Sequence, residues 1–192
     1  EPEELEASDR AGEDLYLDID TSNTLEGLPI YCFFNVSDTL VSGHETYSLA
    51  IVRSSNMTIT AFEVNGTDDL LIFGSANITI ANSTINANVS MEGDDYLFQG
   101  NVFDDIIFEF INNADNIAFT LNSFLTDYDF IDEWQVTNFY LNGSDYGNYW
   151  YDYSGTDNND DGIGDEPFSV TNAGETDYLP LMINPLEYTV VI

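Results

Sequence analysis

Asn56-Met57-Thr58-Ile59-Thr60 returns as Asn77-Ile78-Thr79-Ile80-Ala81. It returns again, more loosely, as Asp95-Tyr96-Leu97-Phe98-Gln99, Asn116-Ile117-Ala118-Phe119-Thr120 and Val136-Thr137-Asn138-Phe139-Tyr140. The first residues of these copies lie 21, 18, 21 and about 20 positions apart, close to the roughly 20–29 residues of one solenoid turn. Within each copy apolar residues alternate with Asn, Thr or Ser. Successive strand side chains face opposite sides, so one set points inward and the other meets water. Second apolar runs, Leu70–Phe73, Val89–Met91 and Ile106–Ile111, fall between the copies and leave room for two or three strands per turn.

The recurrence predicts an all-β chain folded as a single-stranded parallel β-helix, in which each coil relies on its neighbours to bury an apolar face. An antiparallel sandwich is the competing arrangement, since it also uses short strands separated by turns. A sandwich, however, does not require recurrence near 20 residues. Pro2, Pro29, Pro167, Pro180 and Pro185 all lie toward the ends, leaving the ladder free of proline, as interior strands require. The organisation expected is an acidic arm over residues 1–14, coils over 15–146, and an aromatic, Asp-rich capping region with a terminal strand over 147–192.

Thirty-six Asp and Glu face two basic residues, Arg10 and Arg53, giving a formal charge of −34. Charge of that size opposes compaction by self-repulsion, yet 43% hydrophobic residues, with 13 Phe and 12 Tyr, suffice to fill a narrow core. The balance excludes nucleic acid and anionic membrane surfaces as partners, because both are gripped by Lys and Arg. No stretch of about 18 apolar residues is present to span a membrane. The start at Glu1 fits a mature chain from which a leader was removed, and equally an arbitrary boundary.

Cys32, the single cysteine, lies in Ile30-Tyr31-Cys32-Phe33-Phe34 and reads as a small buried hydrophobe. His44, the single histidine, follows Gly43 and reads as a surface loop residue. Asn-x-Ser/Thr sequons start at Asn35, Asn56, Asn65, Asn77, Asn82, Asn88 and Asn142. They predict a glycosylated, secreted or cell-surface protein. The rival account is local chemistry: coil corners favour Asn and outward strand positions favour Thr.

The sharpest chemical signal is Asp157-Asn158-Asn159-Asp160-Asp161-Gly162-Ile163-Gly164-Asp165. Oxygen ligands at alternate positions converge on a hard cation when such a loop curls, and Gly162 permits the tight turn. The expected Ca²⁺ ligands are the side chains of Asp157, Asn159, Asp161 and Asp165 and the carbonyl of Ile163. Phe168 stands where an EF-hand would place its bidentate Glu, so Glu166, Asp152 or Asp177 would complete the shell. A solvated Asp/Asn/Gly turn is the plainer alternative.

The segment from Gly147-Asn148-Tyr149-Trp150-Tyr151-Asp152-Tyr153-Ser154-Gly155-Thr156-Asp157 through Asp161–Asp165 to Asp177-Tyr178-Leu179-Pro180-Leu181-Met182 resembles the C-terminal end of NosD-like, or CASH-type, β-helix proteins of archaeal secreted type. The stretch Asn23–Tyr31 followed by Ser54–Ile59 is similar to the entry coils of such proteins. The resemblance implies a right-handed β-helix closed by a Ca-loop C-terminal cap. It implies no single function. A copper role needs grouped soft ligands, whereas Cys32, His44, Met57, Met91 and Met182 are scattered. Lyases of related folds depend on a basic residue. A hydrolase needs two placed carboxylates, and pairs such as Asp94-Asp95 and Asp104-Asp105 arise readily among so many acids.

Tyr146, Tyr149, Trp150, Tyr151 and Tyr153 suit either a lid over the apolar column or sugar stacking, and the lid is the preferred assignment. The resulting expectation is a non-enzymatic, halophilic, calcium-stabilised structural protein that associates with itself into an extracellular filament or surface layer. The assembly residues expected are Tyr188, Val190 and Ile192 of the terminal strand. A module that binds polysaccharide is the alternative. One consequence follows from charge alone: raising NaCl from about 0.1 to 1 M shrinks the Debye length from about 10 to 3 Å. The melting temperature should therefore rise across that range, and a flat or falling dependence would show that self-repulsion does not limit stability.

Overall fold

The alternating apolar pattern resolves into three strands per coil in the computed structural model, which describes residues 21–66, 70–112, 114–132, 136–170 and 174–185. The expected acidic arm and the expected assembly residues Tyr188, Val190 and Ile192 lie outside the described residues. One face stacks β2 (Leu28–Phe34), β5 (Ser48–Val52), the first parts of β8 (Leu70–Ala81) and β10 (Val89–Gln99), β12 (Ile106–Phe110) and β15 (Tyr128–Asp132). The second stacks β3 (Ser37–Ser42), β6 (Ser55–Thr60), the later parts of β8 and β10, β13 (Asp115–Thr120) and β16 (Thr137–Tyr140). The third is built from short strands: β4 (Glu45–Thr46), β7 (Glu63–Val64), β9 (Thr84–Ile85), β11 (Val102–Phe103), β14 (Ser123–Phe124) and β17 (Tyr149–Trp150). All pairing between coils is parallel. The described chain is thus an all-β parallel β-solenoid of about five turns. A two-residue β1 (Thr24–Leu25) folds antiparallel onto β2, and an antiparallel hairpin of β18 (Phe168–Val170) and β19 (Glu175–Asp177) follows the coils.

The register bears out the repeat with one correction. Ile78 lies between Met57 and Tyr96, and Ile80 between Ile59 and Phe98. In the last copy Ile117 pairs with Phe139, so Asn138 rather than Val136 occupies the place of Asn116. A slip of two residues leaves every side chain on its own face, and alternation alone does not detect it.

The inward residues form continuous columns. In the middle coils they are aliphatic: Leu49, Ile51, Ile59, Leu70, Ile72 and Ile80 are all buried. Toward the C-terminal end the column widens, and along the third face it runs Val64, Ile85, Phe103, Phe124, Trp150. The Phe98 and Phe119 rings stack at 4.7 Å and those of Phe124 and Trp150 at 4.2 Å. Each such side chain contributes on the order of 1.5–3 kcal/mol through burial.

Two polar ladders run beside the columns. On the outside, Asp38, Asn56, Asn77, Asp95, Asn116 and Asn138 all hold positive φ, between 51° and 63°, a conformation that Asn and Asp tolerate better than other non-glycine residues. Asn56 Nδ2 donates to Asp38 at 3.0 Å and Asn77 Nδ2 to Asn56 at 2.6 Å, while Asn116 donates to Asp95. On the inside, Ser83, Asn101, Asn122 and Asn148 are buried. The Ser83 N–H donates to Asn101 Oδ1, the Asn101 N–H to Asn122 Oδ1 and the Asn122 N–H to Asn148 Oδ1, at 2.9–3.1 Å. Each amide also donates back to a carbonyl: Asn101 to Ile80, Asn122 to Phe98 and Asn148 to Phe119.

Asn122→Ala strips the acceptor from the Asn101 N–H and the donor from the Phe98 carbonyl, at about 1–3 kcal/mol for each buried group left bare. Asn86→Ala, on the exposed corner, should stay within about 0.5 kcal/mol. Urea denaturation of both variants checks the contrast, and equal losses would deny the inner ladder its role.

Candidate functional site

The inner ladder ends on a carboxylate. The Asn148 N–H donates to Asp177 Oδ2 at 2.7 Å, the Trp150 indole N–H to the same oxygen at 2.9 Å, and the Leu179 N–H to Oδ1 at 3.0 Å. Asp177 is 0% exposed. Burial pushes its carboxyl above the usual carboxylate range, with the N–H donors opposing the shift. Gly147 makes room for it, since a Cβ at that position would lie 2.0 Å from Asp177 Oδ1. Asp177, a candidate to complete a Ca²⁺ shell, is instead spent on the last coil. Asp152, by contrast, stays exposed and accepts one hydrogen bond, from the Tyr128 hydroxyl at 3.1 Å.

The Asp157–Asp165 loop does curl. Asp160 and Gly162 take positive φ, 56° and 85°. The Gly162 N–H donates to Asp157 Oδ2 at 2.9 Å, and the Asp161 N–H points at both Asp157 and Asn159 at 3.2 Å. Asn159 Nδ2 donates to Asp161 Oδ2 at 2.9 Å. Asp157, Asn159 and Asp161 are thereby drawn around one turn, an all-oxygen set suited to a hard cation. Asp165 is turned elsewhere, its Oδ2 accepting from Asn158 N at 2.7 Å and from Asn158 Nδ2 at 2.6 Å. Among the described residues no three His, Cys, Asp or Glu side chains are grouped as a metal site. The donor set therefore fits Ca²⁺ in part, with one of the two Asp165 carboxylate oxygens already held by Asn158. Leu181 fastens the loop to the solenoid through a bridge to Ile163 and another to Tyr149.

The aromatic segment divides. Trp150 is 1% exposed, stacked on Phe124 and packed against Phe168 at 5.4 Å, so it belongs to the core. Tyr146 and Tyr151 are exposed. Among the sequons, Asn35, Asn56, Asn77 and Asn82 stand on exposed corners, and Asn65, Asn88 and Asn142 are half-buried. At Asn56, Asn77 and Asn65 the Nδ2 atom, to which an N-linked glycan attaches, already donates to a neighbouring side chain. Cys32 is half-buried, and burial pushes its thiol pKa up. His44, expected on the surface, is half-buried instead. It faces Phe62 at 5.3 Å and hydrogen-bonds through Nδ1 to the Tyr31 hydroxyl at 2.9 Å, because the coil folds the two aromatic rings over it.

The ladder to Asp177 escaped sequence reasoning, although a signal exists. Asn82-Ser83 and Gly100-Asn101 each put a residue that tolerates positive φ before a small polar one, whereas Leu121 turns the same corner at φ 57° without any such mark in the sequence. The intervals along these hydrogen bonds are 18, 21 and 26 residues.

Compared with known proteins, the chain matches no protein-family profile, no curated protein and no solved structure. Among the described residues no helix is long and apolar enough to cross a membrane.

Asp177 carries a pH signature. Its folded-state pKa is raised, so the native state holds this proton more tightly and the group's contribution is fully present below its unfolded pKa of about 3.8. The contribution is lost as pH rises through the folded value. Asp177→Asn should be less stable throughout, because its amide N–H₂ opposes a backbone N–H. The stability difference between wild type and D177N should nevertheless narrow from about pH 4 to 7. Denaturation at several pH values checks this, and a gap that widens with pH would mean the three donors outweigh desolvation.

Proposed function

We propose that this chain is a secreted, acidic, calcium-stabilised structural protein, a right-handed β-helix of the NosD-like, CASH-type archaeal class that assembles with itself into an extracellular filament or surface layer. The observation that carries the reading is the edge of the first coil. Among the described residues, β3 pairs only with β6 and β4 only with β7. Unpaired strand edges invite addition of another strand. Leu40 on β3 is 68% exposed, an apolar side chain beside that edge. Contacts that join the end of one solenoid to the start of the next propagate a filament where the rotation between copies does not close a ring.

In this reading Ca²⁺ binds Asp157, Asn159, Asp161 and the Ile163 carbonyl, with Asp165 recruited, and locks the loop that Leu181 fastens to the last coil. The surface charge suits brine, where screening removes most of the repulsion between copies. Glycans fall on the exposed corners, first at Asn35 and Asn82. No catalytic role is assigned to any residue. A module that binds polysaccharide is the second reading, favoured by the exposed rings of Tyr146 and Tyr151.

Electron microscopy of the natively purified protein in high salt, with Ca²⁺ and after chelation, tests the proposal. Ordered fibres or sheets that loosen on chelation are expected. Dispersed particles in both conditions would overturn assembly and turn attention to polysaccharide binding. Asp157→Ala and Asp161→Ala should lower the melting temperature in Ca²⁺ but not in chelator, and equal losses in both would refute the metal site.

A further inference from the structure

Between the last full coil and the terminal hairpin lies a cleft of about 310 Å³ lined by Asp127, Tyr128, Tyr151, Asp152, Phe168 and Ser169. Its two tyrosines and two aspartates are bonded crosswise. The Tyr151 hydroxyl donates to Asp127 Oδ1 at 2.7 Å, and the Tyr128 hydroxyl to Asp152 Oδ1 at 3.1 Å. The Tyr128 ring is held by Trp150 at 5.0 Å and by Phe124 at 5.3 Å, and it meets Tyr151 edge-on at 6.1 Å. Both phenol pKa values are raised, Tyr128 first by burial and Tyr151 first by its bond to Asp127, so both hydroxyls stay protonated and committed to the carboxylates.

The two phenol donors are thus consumed inside the cleft, while carboxylate oxygens and ring surfaces remain. No basic side chain lines it. Arg53, the only Lys or Arg among the described residues, lies over Phe34 on a different part of the chain. An anion is excluded by charge. A sugar must both accept and donate, and the cleft offers it few donors. Ca²⁺ takes about 6–8 oxygen ligands, whereas two carboxylates already holding phenols supply few. The complement of fixed negative charge beside aromatic rings is a cation sheathed in C–H groups, attracted both by Coulomb force and by the ring quadrupoles.

We propose that this cleft binds an organic cation of the alkylammonium class, such as a choline-type group or a lysine side chain. The proposal stands independently of self-assembly.

The test is titration of the full chain in 1 M NaCl, which suppresses diffuse counterion binding, followed by calorimetry and saturation-transfer NMR. The probes are choline, N-acetyl-lysine amide and 3,3-dimethyl-1-butanol, the last being the neutral carbon analogue of choline. Saturable binding of choline, of the lysine amide or of both is expected, with the neutral analogue about tenfold weaker or more. Preference between the two cations separates a quaternary headgroup from a peptide side chain as the source. Asp152→Asn and Tyr151→Ala should each weaken binding about tenfold, and Asp38→Asn, on the outer ladder of the first coil, should leave it unchanged. A cooperative melt confirms folding, and Tyr151→Phe with Asp127→Asn serves if the alanine variant fails to fold. Equal affinity for the neutral analogue, no saturation of either cation, or indifference to the cleft variants would overturn the proposal.

Discussion

The constraint on which the rest of the structure depends is that a backbone turning a corner inside a protein must find partners for its N–H and carbonyl groups. Here the partner is a side chain one coil away. Each buried asparagine accepts from the corner before it and gives its amide protons to a carbonyl, so every coil completes its neighbour, and no buried side-chain nitrogen or oxygen among the described residues lacks a partner. Such a chain of dependence must stop somewhere. An asparagine at the last step would bring two further donors in need of acceptors, whereas a carboxylate only accepts. Asp177 is thus the residue type that lets the ladder end, and its return through β19 binds the hairpin to the coils.

The second organising force is the separation of charge from the apolar column. Among the described residues Asp177 is the one carboxylate that is buried. The other described acids stay in contact with water, which keeps desolvation costs low and leaves repulsion to be screened by salt. Against that repulsion stands a column that thickens from valine to tryptophan along the third face. The wide aromatic end receives Phe168 and Val170 from the hairpin, so the place where the stack of coils stops is also the place with the largest side chains.

Much of this is legible in the sequence, and the reasons are physical. The alternation around Asn56, Asn77, Asp95 and Asn116 records burial directly, and it yields the all-β class and the parallel stacking. Loss of register at Asn138 is invisible to the same signal, since a slip of two keeps parity. The asparagines themselves are ambiguous: one residue type serves the left-handed outer corners, the buried ladder and the glycosylation sequence, and only position in the coil separates these uses. Asp177 looks like a spare cation ligand because sequence shows a carboxylate but not the indole and backbone N–H groups already bound to it. The cleft was not legible at all, because Asp127 and Asp152 belong to different coils and meet only through the exchanged hydroxyls of Tyr128 and Tyr151.

The inner ladder also sets the grain in which the chain can change length. An insertion of a few residues at a buried corner would move an asparagine off its acceptor and leave polar groups bare on two coils at once. A duplication of a whole coil, by contrast, would repeat the donor and acceptor at each junction and keep both ladders continuous. Solenoids built in this way lengthen or shorten in whole-coil quanta, here 18 or 21 residues, while the irregular loop between Leu141 and Asn148, on the approach to the terminal asparagine, absorbs the fractional differences.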